Sequence, residues 1–227
     1  MSIQLHKAMA SILAMPYFKN EAHKSGEVNF GHEAAVAVKI AAVGFTEISK
    51  DIYPNVTKTL LKQWAETGDD TNLRAACVGL SDGSYILQPA GSQGFPDILV
   101  KDYGDRFVAL ECKSGQDGLC PMWNDNTPKP NTIYVLSSGI TNTTTIFMGR
   151  DVISPEEQKI MNDQEQLIKQ IVELYNLKLS LIDTFNRGWS QKSRKQHFQM
   201  GGGEKTNYFT HISRQLCEDN TLSYALE

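Results

Sequence analysis

The sequence has no excess of basic residues, since 22 lysines and arginines stand against 26 aspartates and glutamates and the formal net charge is -4. Such a chain has no overall positive field to attract nucleic acid, so any contact with DNA must come from a local basic patch. It also has no apolar run long enough to span a membrane. The apolar stretch 8–15 ends at Pro16 and is too short to be expected as a signal sequence.

Several short motifs are missing as well. The 4 cysteines include no Cys-x-x-Cys pair, which argues against a cysteine metal site and favours a reducing cytoplasm. The histidines lack the spacing of metal ligands, so we expect them to be packing or surface residues. The glycines at 201–203 precede Lys205-Thr206, but a phosphate-binding loop would need glycine where Glu204 stands.

What the sequence does contain is alternating helix and strand patterns. Apolar periodicity predicts helices over 3–18, 33–45 and 56–66, and strands over 75–80, 84–88, 95–100, 106–113, 132–137 and 144–148. A helix beginning after Ser154 is expected to run to about Phe185, because Pro155 occupies its first turn and Glu157 can complete a capping box. The pattern predicts an α/β fold, with a mixed sheet flanked by helices and a helical extension at the C-terminus.

The most informative residues lie on a predicted hairpin. Asp97 follows a proline at the start of one strand, and Glu111 and Lys113 close the next strand. Side chains alternate along a strand, so Glu111 and Lys113 share one face, whereas Val108, Leu110 and Cys112 point into a core on the other. Two carboxylates at one place suit a hard cation such as Mg²⁺. The plainer interpretation is a surface hairpin with a cross-strand salt bridge.

Pro96-Asp97, thirteen intervening residues and Glu111-x-Lys113 resemble the motif of the PD-(D/E)xK nuclease superfamily, which includes most type II restriction endonucleases. The likeness covers roughly residues 30 to 137, an estimate from pattern alone. It implies a restriction-endonuclease-like fold in which Asp97, Glu111 and the Cys112 backbone carbonyl hold one or two Mg²⁺ ions, with Lys113 acting on the attacking water. The resemblance also implies that Mn²⁺ substitutes for Mg²⁺ and that Ca²⁺ supports binding only.

Many members of that superfamily carry a helix glutamate beside the metal site, and Glu33 in the first turn of the helix over 33–45 matches it. Glu33 can equally be a partner of the helix dipole. We therefore expect a catalytic core over residues 1–153 and a helical extension over 154–227, both in one domain.

Contacts with double-stranded DNA are expected from two segments. The basic segment between residues 186 and 199 contains no acid, and the loop after the Glu-x-Lys strand is rich in asparagine. Phosphate contacts or a solvated helix end fit the first segment, and base readout or turn formation fits the second. The candidate DNA-binding residues are Gln93, Asn124, Asn126, Lys129, Arg187, Lys192, Arg194 and Lys195.

The helix after Ser154 has more apolar surface than one small sheet needs, which indicates a seam between two copies. The resemblance to type II restriction endonucleases, together with the twofold symmetry of their targets, implies a homodimeric, site-specific DNA endonuclease that cuts a short palindrome. The alternatives are a structure-specific or repair nuclease of the same superfamily, and a catalytically silent DNA-binding module.

Overall fold

The computed structural model describes residues 2–18, 31–92, 94–116, 118–124, 127–192, 196–197, 199–201 and 204–227. The helices are α1 (Ile3–Leu13), α2 (His32–Ala42), α3 (Lys58–Thr67), α4 (Thr71–Ala76), α5 (Pro155–Ile182) and α6 (Arg214–Tyr224), with 3-10 turns at Lys50–Ile52 and Gly149–Asp151. The strands are β1 (Thr46–Glu47), β2 (Ser84–Leu87), β3 (Ile98–Asp102), β4 (Arg106–Gly115), β5 (Trp123–Asn124), β6 (Thr132–Ser138), β7 (Thr143–Met148), β8 (Gln196–His197), β9 (Met200–Gly201) and β10 (Glu204–Lys205).

Six strands form one mixed sheet in the order β1-β2-β3-β4-β6-β7. The three strands β2, β3 and β4 run antiparallel, while β4 pairs with β6 in parallel and β6 pairs with β7 in a hairpin. The predicted α/β class, a mixed sheet flanked by helices, is confirmed. The long strand β4 lies inside the sheet and pairs with a neighbouring strand on each edge.

Each face of the sheet has its own core. Val108 and Leu110 of β4 pack with α1 and α2, whereas Phe107 and Ala109 pack with α3 and α4. A third cluster, around Tyr134, continues the second face towards the C-terminal segments. The period-2 alternation along β4 therefore decides which side chains face which core.

Local signals explain the bounds of the helices. The Thr57 hydroxyl accepts from the Leu60 N–H at the start of α3, and Gly68 ends that helix in a left-handed conformation with φ of 78°. Ser154 and Glu157 form the predicted capping box of α5. α1 stops at Leu13, shortly before Pro16, and so does not reach residue 18.

The prediction of a strand over 75–80 is wrong. Residues 71–76 form α4 and the following residues turn. Leu73, Cys77 and Leu80 all enter the second core, and their spacing of three to four residues is helical. The two alanines and the valine of this stretch suggest a strand from local composition, but the contacts with distant residues of the core favour a helix.

The helix α6 has no counterpart among the helices expected from the sequence. It packs on β7 and α1, and Ala225 just after it is fully buried in the first core. A buried ion pair holds it there: Arg106 donates to the fully buried Asp102 at 2.8 Å and to the Tyr224 carbonyl at 2.7 Å. The Asp102 carboxylate also accepts from the Ser2 hydroxyl, so the Arg106–Asp102 pair joins both ends of the described chain to the hairpin.

Within the described ranges, no helix has both the length and the apolar character required to cross a lipid bilayer.

Arg106→Ala tests this buried pair. The change leaves the Asp102 carboxylate buried without its cation, so we expect the free energy of unfolding to fall by about 3–5 kcal/mol. Urea unfolding followed by circular dichroism measures it. Arg150→Ala is the matched control, because Arg150 stacks on the same Tyr224 ring without contacting Asp102, and a loss as large as that of Arg106→Ala would contradict the role given to the pair.

Candidate active site

The backbone of the β3–β4 hairpin brings the predicted residues together. The ladder pairs Ile98 with Leu110, so Asp97 just before β3 and Glu111 on β4 meet at the same end of the hairpin. The Asp97 carboxylate accepts a hydrogen bond of 2.7 Å from the Cys112 N–H. The predicted pairing of Glu111 and Lys113 on one face is confirmed, since the Lys113 ammonium donates to Glu111 Oε1 at 2.8 Å. The Cys112 side chain packs against the opposite core, as predicted.

Negative charge is crowded at this point. Burial, followed by the repulsion of Glu111, raises the pKa of Asp97 to about 7. Burial also raises the pKa of Glu33, and Glu111 adds to the shift. The structure thus places Glu33, in the first turn of α2, within electrostatic reach of both hairpin carboxylates.

Lys113 is the cation of this group. Burial opposes its charge, but the hydrogen-bonded Glu111 carboxylate and the nearby Asp97 outweigh burial and raise the pKa of Lys113 above its ordinary value. The ammonium is therefore firmly protonated at neutral pH. One lysine faces three carboxylates, so the group keeps an excess of negative charge.

Two side chains that the sequence did not single out position Glu33. The Gln88 amide lies 3.4 Å from Glu33 Oε2, and the Gln88 N–H donates to the Asp97 carbonyl at 2.7 Å. His32 is buried, and its Nε2 lies 3.1 Å from the Val135 carbonyl oxygen, which attaches the start of α2 to β6. A polar residue at the end of an apolar strand was the only sequence signal for Gln88.

The site fits a divalent cation by its donor chemistry. Glu111 Oε2 is buried and has no hydrogen-bond partner among the described residues, which leaves an anionic oxygen with full capacity to bind a cation. Among those residues no group of three or more His, Cys, Asp or Glu side chains is placed so that it could hold a metal ion. Mg²⁺ is usually held by one or two carboxylates together with waters and substrate phosphates, so two carboxylates and the Cys112 carbonyl suffice.

A cavity of about 40 Å³ opens beside Glu111 and Lys113. The Tyr134 hydroxyl, which accepts from the Lys129 N–H at 2.8 Å, forms part of its wall. Lys129 is only 4% exposed, and its ammonium is paired with Glu66 at the end of α3. This predicted DNA contact therefore lines the cavity and does not extend its charge into solvent.

The backbone in the wall of the cavity is tightly packed. A Cβ added at Gly149, just after β7, would lie 2.0 Å from the Lys129 carbonyl oxygen. The Arg150 N–H donates to the Pro130 carbonyl, and the Asn131 N–H donates to the Ala65 carbonyl. Residues 127–131 are thus fixed between α3 and the end of β7.

The other predicted DNA contacts are only partly placed. Gln93, Asn126, Arg194 and Lys195 lie outside the described residues. The backbone of Asn124 pairs with Gln196 in the β5–β8 ladder, which brings the asparagine-rich loop beside the end of the basic segment. Arg187 and Lys192 are exposed beyond the C-terminal end of α5.

Comparison of the chain with family models, curated proteins and solved structures found no match.

The charge crowding predicts an unusual dependence of stability on pH. The folded state holds the proton of Asp97 more tightly than the unfolded state, so the protonated carboxyl does not destabilise the fold. The ionised carboxylate does, and the loss of stability grows as pH rises from 3.8 to about 7. Asp97→Asn removes the charge and keeps an oxygen for the Cys112 N–H. We expect the variant to melt above wild type at pH 8 in EDTA, where each 1 kcal/mol adds roughly 2–4 °C, and the difference to vanish near pH 4.

The control for this measurement is Asp69→Asn. Asp69 is exposed, and hydrogen bonds from Thr71 lower its pKa, so its replacement should give no gain at pH 8. Equal melting temperatures of Asp97→Asn and wild type at pH 8 would contradict the crowding of the carboxylates. Added Mg²⁺ should raise the melting temperature of wild type but not that of Asp97→Asn.

Proposed function

We propose that this chain is a Mg²⁺-dependent endonuclease that hydrolyses phosphodiester bonds of double-stranded DNA. The observation that supports it most is the grouping of Asp97, Glu111 and Lys113 at one end of a hairpin, with Glu111 Oε2 buried and without a partner among the described residues. A purely structural salt bridge would neutralise its charges. This group has a surplus of carboxylates and a single cation.

Each residue has a definite role in this proposal. Asp97 and Glu111 hold the cation, with the Cys112 carbonyl as a further ligand and Glu33 beside them. Bound Mg²⁺ would stabilise the charge that develops on the phosphate oxygens. Mn²⁺ would substitute for it, and Ca²⁺ would support binding only.

Lys113 positions the nucleophile. Because its ammonium is protonated and held by Glu111, it can donate a hydrogen bond to the attacking water and cannot accept a proton. The water oxygen forms a bond to phosphorus in line with the bond to the 3′ oxygen, which breaks. The proton of the water passes to solvent, and the departing 3′ oxygen takes up a proton from solvent. The products are a 5′-phosphate and a 3′-hydroxyl end.

The proposed substrate is a short palindromic site, cut by a homodimer in the cytoplasm in the manner of a type II restriction enzyme. The central mixed sheet, with Glu111 within its longest strand and Asp97 just before the neighbouring strand, is compatible with a restriction-endonuclease-like fold. A twofold target matches a twofold protein, since each copy then acts on one strand.

Digestion of a supercoiled plasmid of known sequence tests the activity. We expect cleavage with Mg²⁺ and none with EDTA, and discrete fragments with 5′-phosphate ends. A smear or cleavage confined to branched DNA would favour a structure-specific nuclease of the same chemistry. No cleavage with Mg²⁺ or Mn²⁺ on any duplex would reject the proposal in favour of a silent DNA-binding module.

Lys113→Ala separates the chemical step from binding. The variant should lose about 10²–10³-fold in cleavage rate, which is the usual effect of removing one preorganised hydrogen-bond donor, while binding to cognate DNA in Ca²⁺ stays nearly unchanged. Single-turnover cleavage and a gel-shift titration measure the two quantities. The exposed Lys50 on the first 3-10 turn provides the control variant Lys50→Ala, and a parallel loss of binding and cleavage in Lys113→Ala would remove the role assigned to Lys113.

The basic segment is proposed to contact backbone phosphates. Replacement of Arg187 and Lys192 by alanine should then weaken binding to cognate and random duplexes alike, and each lost contact should reduce the slope of log K against log salt by about 0.9. Fluorescence anisotropy at several salt concentrations measures the slope. If the slope for this double variant equals the slope for Lys50→Ala, Arg187 and Lys192 contact no phosphates and belong to a solvated chain segment.

A further inference from the structure

The helix α5 stands largely uncovered. Only Gln158 of its 28 residues is buried. Its first turn is anchored, because the Gln158 amide donates to the Thr127 hydroxyl at 2.9 Å and to the Pro128 carbonyl at 3.3 Å. From there the helix extends over a total length of about 42 Å at 1.5 Å per residue.

The uncovered face has a strict seven-residue repeat. Ile160, Leu167, Leu174 and Leu181 follow one another at this interval, and their exposed fractions are 68%, 60%, 50% and 76%. A second stripe with the same interval runs beside it, formed by Met161, Ile168, Tyr175 and Ile182. Apolar side chains repeated every seven residues over three intervals are the pattern of helices that pair with other helices.

Met161 is half-buried in a cavity that it lines with Trp123 and Pro128, but the remainder of the described chain leaves the other residues of both stripes exposed. The segment that follows α5 turns back along a different side of the helix, where Asn176 exchanges two hydrogen bonds with Gln191, of 2.9 and 2.7 Å. Asn176 lies about 150° around the helix from the middle of the apolar face, at 100° per residue. Exposed apolar surface of this extent on a monomer is unusual and marks a contact with another molecule.

The charges on the helix indicate which molecule. Lys178 lies on the apolar face, one turn beyond Leu174. The N-terminal half of that face is flanked by Asp163, whose carboxylate also pairs with Lys159 at 2.6 Å. Two copies paired in parallel and in register would place Lys178 against Lys178. Two copies paired antiparallel about Ile171 place Lys178 beside Gln164 and the acidic flank of the other copy, because the residue numbers that face each other then sum to about 342.

We infer that two copies of this chain associate through an antiparallel pairing of their α5 helices, with Ile171 at the twofold axis. The pairing sets each residue of the stripe that begins at Ile160 opposite a residue of the stripe that begins at Met161 on the other copy, as Leu174 lies opposite Ile168. The same surface is used on both copies, so the assembly closes as a dimer. A heterologous apolar helix would cover the stripes equally well but would not require Asp163 and Lys178 to lie towards opposite ends of this face.

The pairing also bears on the proposed nuclease, and only in this respect does the inference rest on the proposed function. Thr127, which receives the Gln158 amide, lines the cavity beside Glu111 and Lys113. The anchored end of α5 is therefore in contact with the candidate active site. An antiparallel pair would hold two such sites at a constant separation, as cleavage of both strands requires.

The first experiment measures the mass of the full-length protein in solution. We expect sedimentation equilibrium at micromolar concentration to give twice the 25.3 kDa of one chain for wild type, and a single chain for Ile171→Asp combined with Leu174→Asp. The control Gln166→Asp puts a charge on the opposite side of α5 and should remain dimeric. Wild type that is monomeric throughout, or a folded double variant that stays dimeric, would overturn the inference.

The second experiment determines the orientation and does not depend on a destabilising change. Gln164→Cys and Lys178→Cys are prepared separately, oxidised alone and oxidised as a mixture. We expect a disulfide-linked dimer mainly in the mixture, since residues 164 and 178 of different copies face each other, whereas identical positions are about 21 Å apart along the axis. Strong cross-linking of either variant with itself would show a parallel pair and overturn the antiparallel arrangement.

Failure of the interface and failure of the enzyme are distinguishable. Lys113→Ala should sediment as a dimer while it fails to cleave. A dimeric wild type without any cleavage would refute the nuclease and leave the α5 pairing intact, and an active monomeric wild type would do the reverse.

Discussion

The hydrogen bond from the Cys112 N–H to the Asp97 carboxylate is the interaction on which the candidate site depends. It joins a side chain before one strand to the backbone of the strand that carries Glu111 and Lys113. The positions of these groups are therefore set by the ladder of the hairpin. A shift of the ladder by one residue would turn Glu111 and Lys113 towards the core formed with α1 and α2, and the apolar side chains on both faces of β4 prevent it.

The packing of the two cores offsets the unfavourable free energy of the crowded carboxylates. A single lysine among three carboxylates cannot remove the repulsion between them, and partial burial adds to the penalty. Val108 and Leu110 on one face, and Phe107 and Ala109 on the other, are all nearly or fully buried and hold the strand in place. Carboxyl groups with perturbed pKa values, held in place by well-packed surroundings, are common at functional sites.

The features that could be predicted from the sequence are local ones. Alternation along β4 placed Glu111 and Lys113 on one face, and the Ser154 to Glu157 spacing located the start of α5. The prediction of a strand over 75–80 is wrong because the contacts that favour a helix there are made with residues of β2, β3 and β4. Those strands are distant in sequence, so the local apolar pattern does not show the contacts. The burial of Lys129 against Glu66 and the contact of Gln88 with Glu33 likewise depend on segments that only the folded chain brings together.

Gly149 shows how the site limits which substitutions the chain can accept. It carries no chemistry and lies beyond the far strand of the β4–β6–β7 ladder, yet its missing side chain is what lets the Lys129 carbonyl approach. Even alanine there would displace the backbone that forms one wall beside Glu111. In a mutational scan this glycine would thus tolerate few substitutions, although it contributes no side chain to the candidate site.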